Sequence, residues 1–139
     1  MPNILVDTGL WYALFDTKDS YHEQAQETAE RLAPLTIVIP WPVLYETLST
    51  SFAPNFRALR RFEMFLKRPG VVFLDDTPYR QEALNRVFEW SLQHSRPLSA
   101  TDCVLRLILD DVAIRIDLLA TFNVRDFADV CRRRGVELL

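Results

Sequence analysis

Four short aliphatic runs, each followed by a stretch with helical spacing, limit what this chain can become. Ile4-Leu5-Val6, Thr36-Ile37-Val38-Ile39, Val71-Val72-Phe73-Leu74 and Leu118-Leu119-Ala120-Thr121 have strand length, and none alternates polar with apolar residues. Unbroken runs of this kind belong to strands covered on both faces, as in a parallel sheet. Between them, Tyr21–Leu32 places Ala25, Ala29 and Leu32 on one helical face, and Asn55–Lys67 turns Leu59, Phe62 and Leu66 inward. A longer helix, capped by Asp76 or Thr77 and reaching about His94, carries Leu84, Val87, Phe88 and Ser91 along one stripe. Pro42 suits the first turn of a helix through Leu48, Ser99 starts an apolar one through Leu109, and Gly135 stops a last one from Asp126 to Arg134. Val136-Glu137-Leu138 is a candidate fifth strand. Alternating strands and helices with right-handed crossovers predict an α/β fold, a three-layer α/β/α sandwich around a central parallel sheet of four to five strands. With 139 residues and no repeat or linker, one domain over residues 1–139 is expected.

In such sheets ligands bind at the carboxyl edge of the strands, and acids recur at that edge. Asp7 follows the first run directly, where it can hold a cation or cap the next helix. Glu46 sits among Val43, Leu44 and Leu48, either on the water-facing flank or at the rim. Asp102 stands three residues after Ser99, the spacing of a capping box, yet in the first turn of a helix at the same edge. Asn123 and Asp126 follow the fourth run; Asn123 suits a left-handed loop position and Asp126 a helix cap. Asp75 and Asp76 repeat the strand-then-acid pattern, but Pro78 after Thr77 marks a capped helix start, so they read as turn and cap. Three carboxylates brought together must take up protons or bind a cation. Oxygen ligands without His or Cys favour Mg²⁺ or Mn²⁺ over zinc.

Composition narrows the partners. The net charge of −3 lacks the basic excess of most nucleic-acid binders, so a polyanion needs bridging cations or a local basic patch. Arg57, Arg60, Arg61, Lys67, Arg68 and the Arg132-Arg133-Arg134 run are candidates for such a patch, though each also suits a solvated helix face. Cys103 and Cys131 have no framework spacing and His22 and His94 read as surface residues, which fits a reduced, cytoplasmic setting. No apolar run approaches the ~20 residues of a membrane span. The aromatics Trp11, Tyr12, Phe15, Trp41, Tyr45, Phe52, Phe56, Phe62 and Phe65 exceed what three layers bury easily, which points to an interface.

Ile4-Leu5-Val6-Asp7-Thr8, Val43-Leu44-Tyr45-Glu46, Ser99-Ala100-Thr101-Asp102-Cys103 and Leu119-Ala120-Thr121-Phe122-Asn123-Val124-Arg125-Asp126-Phe127 occur in this order. In these stretches the chain resembles PIN-domain ribonucleases, in particular VapC-like toxins of type II toxin–antitoxin pairs. The resemblance implies a sheet of order 3-2-1-4-5, which keeps Asp75 and Asp76 away from the site. It implies Mg²⁺- or Mn²⁺-dependent endoribonuclease activity, with Asp7, Glu46 and Asp102 as metal-binding acids and Thr8 assisting. Asn123 stands where many members carry a fourth acid, and Asp126 is the residue that can compensate. An RNA substrate, a homodimer and a cognate antitoxin whose peptide arm covers the site follow from the same resemblance. The alternative is a PIN-like module that binds RNA or protein with little or no catalysis. A phospho-acceptor receiver domain fits poorly, because Asp7 has no adjacent acid and no lysine follows a late strand.

Overall fold

The computed structural model describes residues 1–94 and 96–139. Its strands are β1 (Asn3–Val6), β2 (Thr36–Pro40), β3 (Val71–Leu74), β4 (Leu118–Ala120) and β5 (Glu137–Leu138). They form one sheet in the order β3-β2-β1-β4-β5, and every pairing is parallel. Helices α1 (Thr8–Phe15), α2 (His22–Leu32), α3 (Trp41–Thr47), α4 (Phe56–Leu66), α5 (Arg80–Gln93), α6 (Ala100–Asp110) and α7 (Ala128–Arg134) connect them. β1 is the middle strand, and Ile4, Leu5 and Val6 are wholly inaccessible to solvent. Leu5 lies opposite Val38 on one side and Leu119 on the other. Pairing continues one residue beyond the strand, where the Asp7 N–H donates to the Ala120 carbonyl at 3.0 Å. That bond fixes the point at which Asp7 leaves the sheet.

α1 carries Trp11 into the core against Phe62 and Phe65 of α4, with ring centroids 5.6 and 5.0 Å away. Truncating an aromatic buried this completely costs about 3–5 kcal/mol. Asn55 caps α4 by accepting from the Ala58 N–H, and α7 ends at Gly135 in the left-handed conformation that glycine favours.

Expectations about faces hold in α4 and give way elsewhere. In α4 Phe62 is buried with Ala58 and Phe65, and Leu59 and Leu66 pack half-buried against the core beside an open groove. The long helix begins only at Arg80, after a 3-10 turn over Thr77–Tyr79. Its Ala83 is buried, whereas Leu84 and Phe88 of the expected apolar stripe are 52% and 60% exposed. A small residue lets this helix approach its neighbours closely, and that choice turns the larger side chains outward. His22 is not a free surface residue, since its Nδ1 bonds the Ala13 carbonyl at 2.7 Å. Cys103 and Cys131 are free and buried. Among the described residues no helix is long and apolar enough to cross a membrane.

Candidate active site

The sheet order brings the ends of β1, β2 and β4 to one rim and leaves β3 beyond β2. Asp7 serves as N-cap of α1 and lines the rim at once. One carboxylate oxygen accepts the Thr8 N–H and the other accepts the Thr121 hydroxyl, both at 2.8 Å. The same Thr121 Oγ1 accepts the Asn123 N–H at 3.0 Å, so the loop after β4 braces the acid after β1. Asp7 is only 4% exposed. Burial pushes its pKa up, the two hydrogen bonds pull it down, and the charges of Glu46 and Asp126 raise it again.

Asp102 occupies the first turn of α6. Its N–H donates to Ser99 Oγ at 3.0 Å, so the capping spacing is realised. Its carboxyl is nonetheless pushed up to about 6, by burial first and by Asp7 second, while hydrogen bonding from Ser99 works the other way. Capping and rim placement are therefore the same geometry. Glu46 is exposed on α3, and its carbonyl accepts the Tyr12 hydroxyl. Its charge acts on Asp7, so the water-facing flank and the rim coincide here too.

The loop after β4 departs from expectation. Asn123 has φ −101°, outside the left-handed region, and its side chain is exposed. Asp126 caps no helix: a 3-10 turn ends on it, and α7 starts later, at Ala128, without a side-chain cap. Instead Asp126 accepts Arg96 Nε in an ion pair of 3.2 Å, and its carbonyl takes Arg106 at 2.6 Å. Asp126 still adds to the negative field on Asp7 and Asp102.

Among the described residues, Asp7, Glu46 and Asp102 have no ion-pair partner. The buried hydroxyl of Thr8, next to Asp7 in the chain, has no hydrogen-bond partner among the described residues. Mutually repelling carboxylates next to an unsatisfied oxygen match the donor chemistry of a hard divalent ion. The cage is not complete in itself, however. Among the described residues no group of three or more His, Cys, Asp or Glu is placed to hold a metal ion.

The sequence matches no protein-family model and no curated protein. The structure does match solved ones. The VapC20 toxin of Mycobacterium tuberculosis, described as cleaving the sarcin–ricin loop, aligns with a TM-score of 0.67 at 22% identity, over 91% of this chain and 94% of that one. A chain of VapBC2 from Rickettsia felis, solved bound to a promoter DNA fragment, aligns at 0.59 and 16% identity, over 99% and 97%. The fold is PIN-like. Within this PIN-like frame, residues that pattern reading passed over hold the rim in place: Thr121 on Asp7, and Arg96 and Arg106 on Asp126. Thr121 carried one usable signal, a hydroxyl directly after an aliphatic strand that pairs with β1.

Proposed function

We propose that this chain is a Mg²⁺- or Mn²⁺-dependent endoribonuclease and the toxin of a toxin–antitoxin pair. The observation that carries the reading is the unneutralised charge at the rim. Asp7 and Asp102 are both raised, each lies within the other's field or that of further acids, and among the described residues neither has a counter-cation. The fold it shares with a sarcin–ricin loop cleaving toxin supports the same conclusion.

In this reading Asp7 and Asp102 would hold the ion, Glu46 would join directly or through water, and the Thr8 hydroxyl and Asn123 amide would offer neutral oxygens. When bound, such an ion would supply charge to offset phosphate and to activate water near neutral pH. The chain's own part is positional. Thr121 and the Thr8 N–H lock the Asp7 carboxylate in one orientation. The first turn of α6 fixes the Asp102 backbone, through its N–H on Ser99 Oγ, and so sets where that carboxylate starts. Glu46, exposed at the lip, adds its charge to the field on Asp7. Asp126 serves as background charge, held by Arg96.

The partners follow from the same reading. A cavity of about 600 Å³ lined by Phe56, Leu59, Phe62, Leu66 and Phe73 opens between α4 and β3, with Arg60 and Lys67 at its lip. Glu63 also lines it and pairs with Lys67 at 3.9 Å, so the cavity, which contains none of the rim acids, suits an apolar segment of the antitoxin. The exposed Leu84, Phe88 and Leu92 stripe of α5 suits a second copy. Light scattering is expected to report a dimer at micromolar concentration and a monomer for a Phe88→Glu variant. A wild-type monomer would remove the dimer.

A second reading has its own support. Asp126, the acid available to compensate for Asn123, is tied to Arg96, which favours a module that binds RNA or protein with little catalysis. Cleavage of RNA in Mg²⁺ or Mn²⁺ by the wild type and by Asp7→Asn decides between them. The nuclease loses its activity in the variant. The binding module shows none in either and no carboxylate-dependent heat with Mn²⁺.

A further inference from the structure

Beside the rim lies a second cavity, about 390 Å³, whose lining includes Gly9 and Asn123 next to the acids and Asp16, Asp19, Tyr21 and Phe122 further out. Tyr21 and Phe122 stack with centroids 4.6 Å apart and planes 19° from parallel. This pair joins two parts of the chain, the turn before α2 and the loop after β4, and Tyr21 remains 49% exposed. Local bonds hold the platform. Asp19 Oδ1 accepts the Tyr21 N–H at 2.9 Å, and His22 is bolted to α1 through the Ala13 carbonyl. The Phe122 ring lies over the start of α1, where a Cβ at Gly9 would come to 3.8 Å from its Cδ2.

The geometry points to a nucleobase subsite: a flat base of single-stranded RNA stacks on the Tyr21–Phe122 pair, beside the scissile position. The inference rests on the nuclease reading for its choice of RNA. Three features favour a base over other occupants. Parallel aromatic rings already ordered extend naturally to a third flat ring. The carboxylates of Asp16 and Asp19 repel a phosphate, so the backbone stays outside and the base enters. Ser51, Asn55 and Asn123 add groups that both donate and accept, while the two carboxylates only accept, so the balance favours an edge that donates, as guanine's ring N–H and exocyclic amine do.

The probe is a fluorescein-labelled RNA decamer carrying guanine, or an abasic site, at one central position, bound at low salt in EDTA. The wild type is expected to bind the abasic decamer on the order of ten-fold more weakly. Tyr21→Ala should erase that difference, and Tyr21→Phe should keep it. No difference in the wild type, or one that survives unchanged in Tyr21→Ala, overturns the subsite. A second arm sequences the cut ends of a degenerate RNA in Mg²⁺. Guanine enrichment beside the cut, flattened in Tyr21→Ala, supports the subsite. Cleavage without base bias rejects the subsite and leaves the nuclease standing. Abasic discrimination by a protein that cuts nothing rejects the nuclease and leaves the subsite standing.

Discussion

After β1 the chain reads Val6-Asp7-Thr8, and after β3 it reads Leu74-Asp75-Asp76-Thr77. Both turns leave a parallel strand and lead toward helical structure, and each buries an aspartate: Asp7 is 4% exposed and Asp76 is 6%. Their surroundings differ. Asp76 receives Arg80 through two bonds of 3.1 Å, and Asp75 is held below the usual carboxylate range by the hydroxyl and N–H of Thr77. Among the described residues Asp7 receives only uncharged donors, and it faces further acids. One buried acid is neutralised within its own turn and the other is left with charge that something else must balance. Strand position makes the difference, because β3 has β2 on one side only, whereas β1 sits between the two strands whose exits carry Glu46 and Asp126.

The largest effect expected from this contrast is on RNA cleavage. Asp7→Asn should lower the rate about 100-fold or more, as loss of a metal-holding acid does. Asp75→Asn should leave it within about two-fold, since that carboxylate has its partners in its own turn. Similar losses in both variants would erase the distinction between the turns.

Next comes the donor that holds Asp7. Thr121→Val removes one hydrogen bond to a buried carboxylate, which costs about 1–2 kcal/mol in urea unfolding at neutral pH. It should also drive the Asp7 pKa further upward. An unchanged urea midpoint would mean that the bond contributes nothing.

A smaller effect, with a sign of its own, concerns Asp102. Its folded pKa of about 6 lies above the ordinary aspartate value of 3.8, so the folded state binds a proton more readily than the unfolded one. The ionised group therefore destabilises the fold above pH 6, and the penalty fades as pH falls toward 4. Metal-free Asp102→Asn should accordingly gain on the order of 1 kcal/mol at pH 7.5, a figure reduced for partial exposure, and nothing at pH 4. A gain that does not depend on pH would come from some other source.

The contrast also shows how far the sequence could be read. The strands and the acids at their ends were legible because aliphatic runs and capping residues obey local rules. Asp102 could be placed on the rim because Ser99 fixes the helix start. The stripe on α5 was half misread, because periodicity identifies a face without saying which edge of it is buried: Val87 packs against the core and Ser91 bonds the Leu98 carbonyl, but Leu84 and Phe88 turn outward while Ala83 packs inward. Thr121, Arg96 and Arg106 were missed because their partners lie across the sheet or on another helix, and no local spacing encodes them. The same is true of the Tyr21–Phe122 stack, whose members are about a hundred positions apart.

The most direct test is a carbon-detected NMR titration of the aspartate side-chain carboxyls, with and without excess Mg²⁺. Without metal, Asp102 should titrate at about 6 and Asp7 above 3.8. With Mg²⁺, both midpoints should fall, because a cation between them favours the ionised forms, while Asp75 stays below the usual carboxylate range. Titration curves for Asp7 and Asp102 that Mg²⁺ leaves unmoved would contradict a shared ion at this rim.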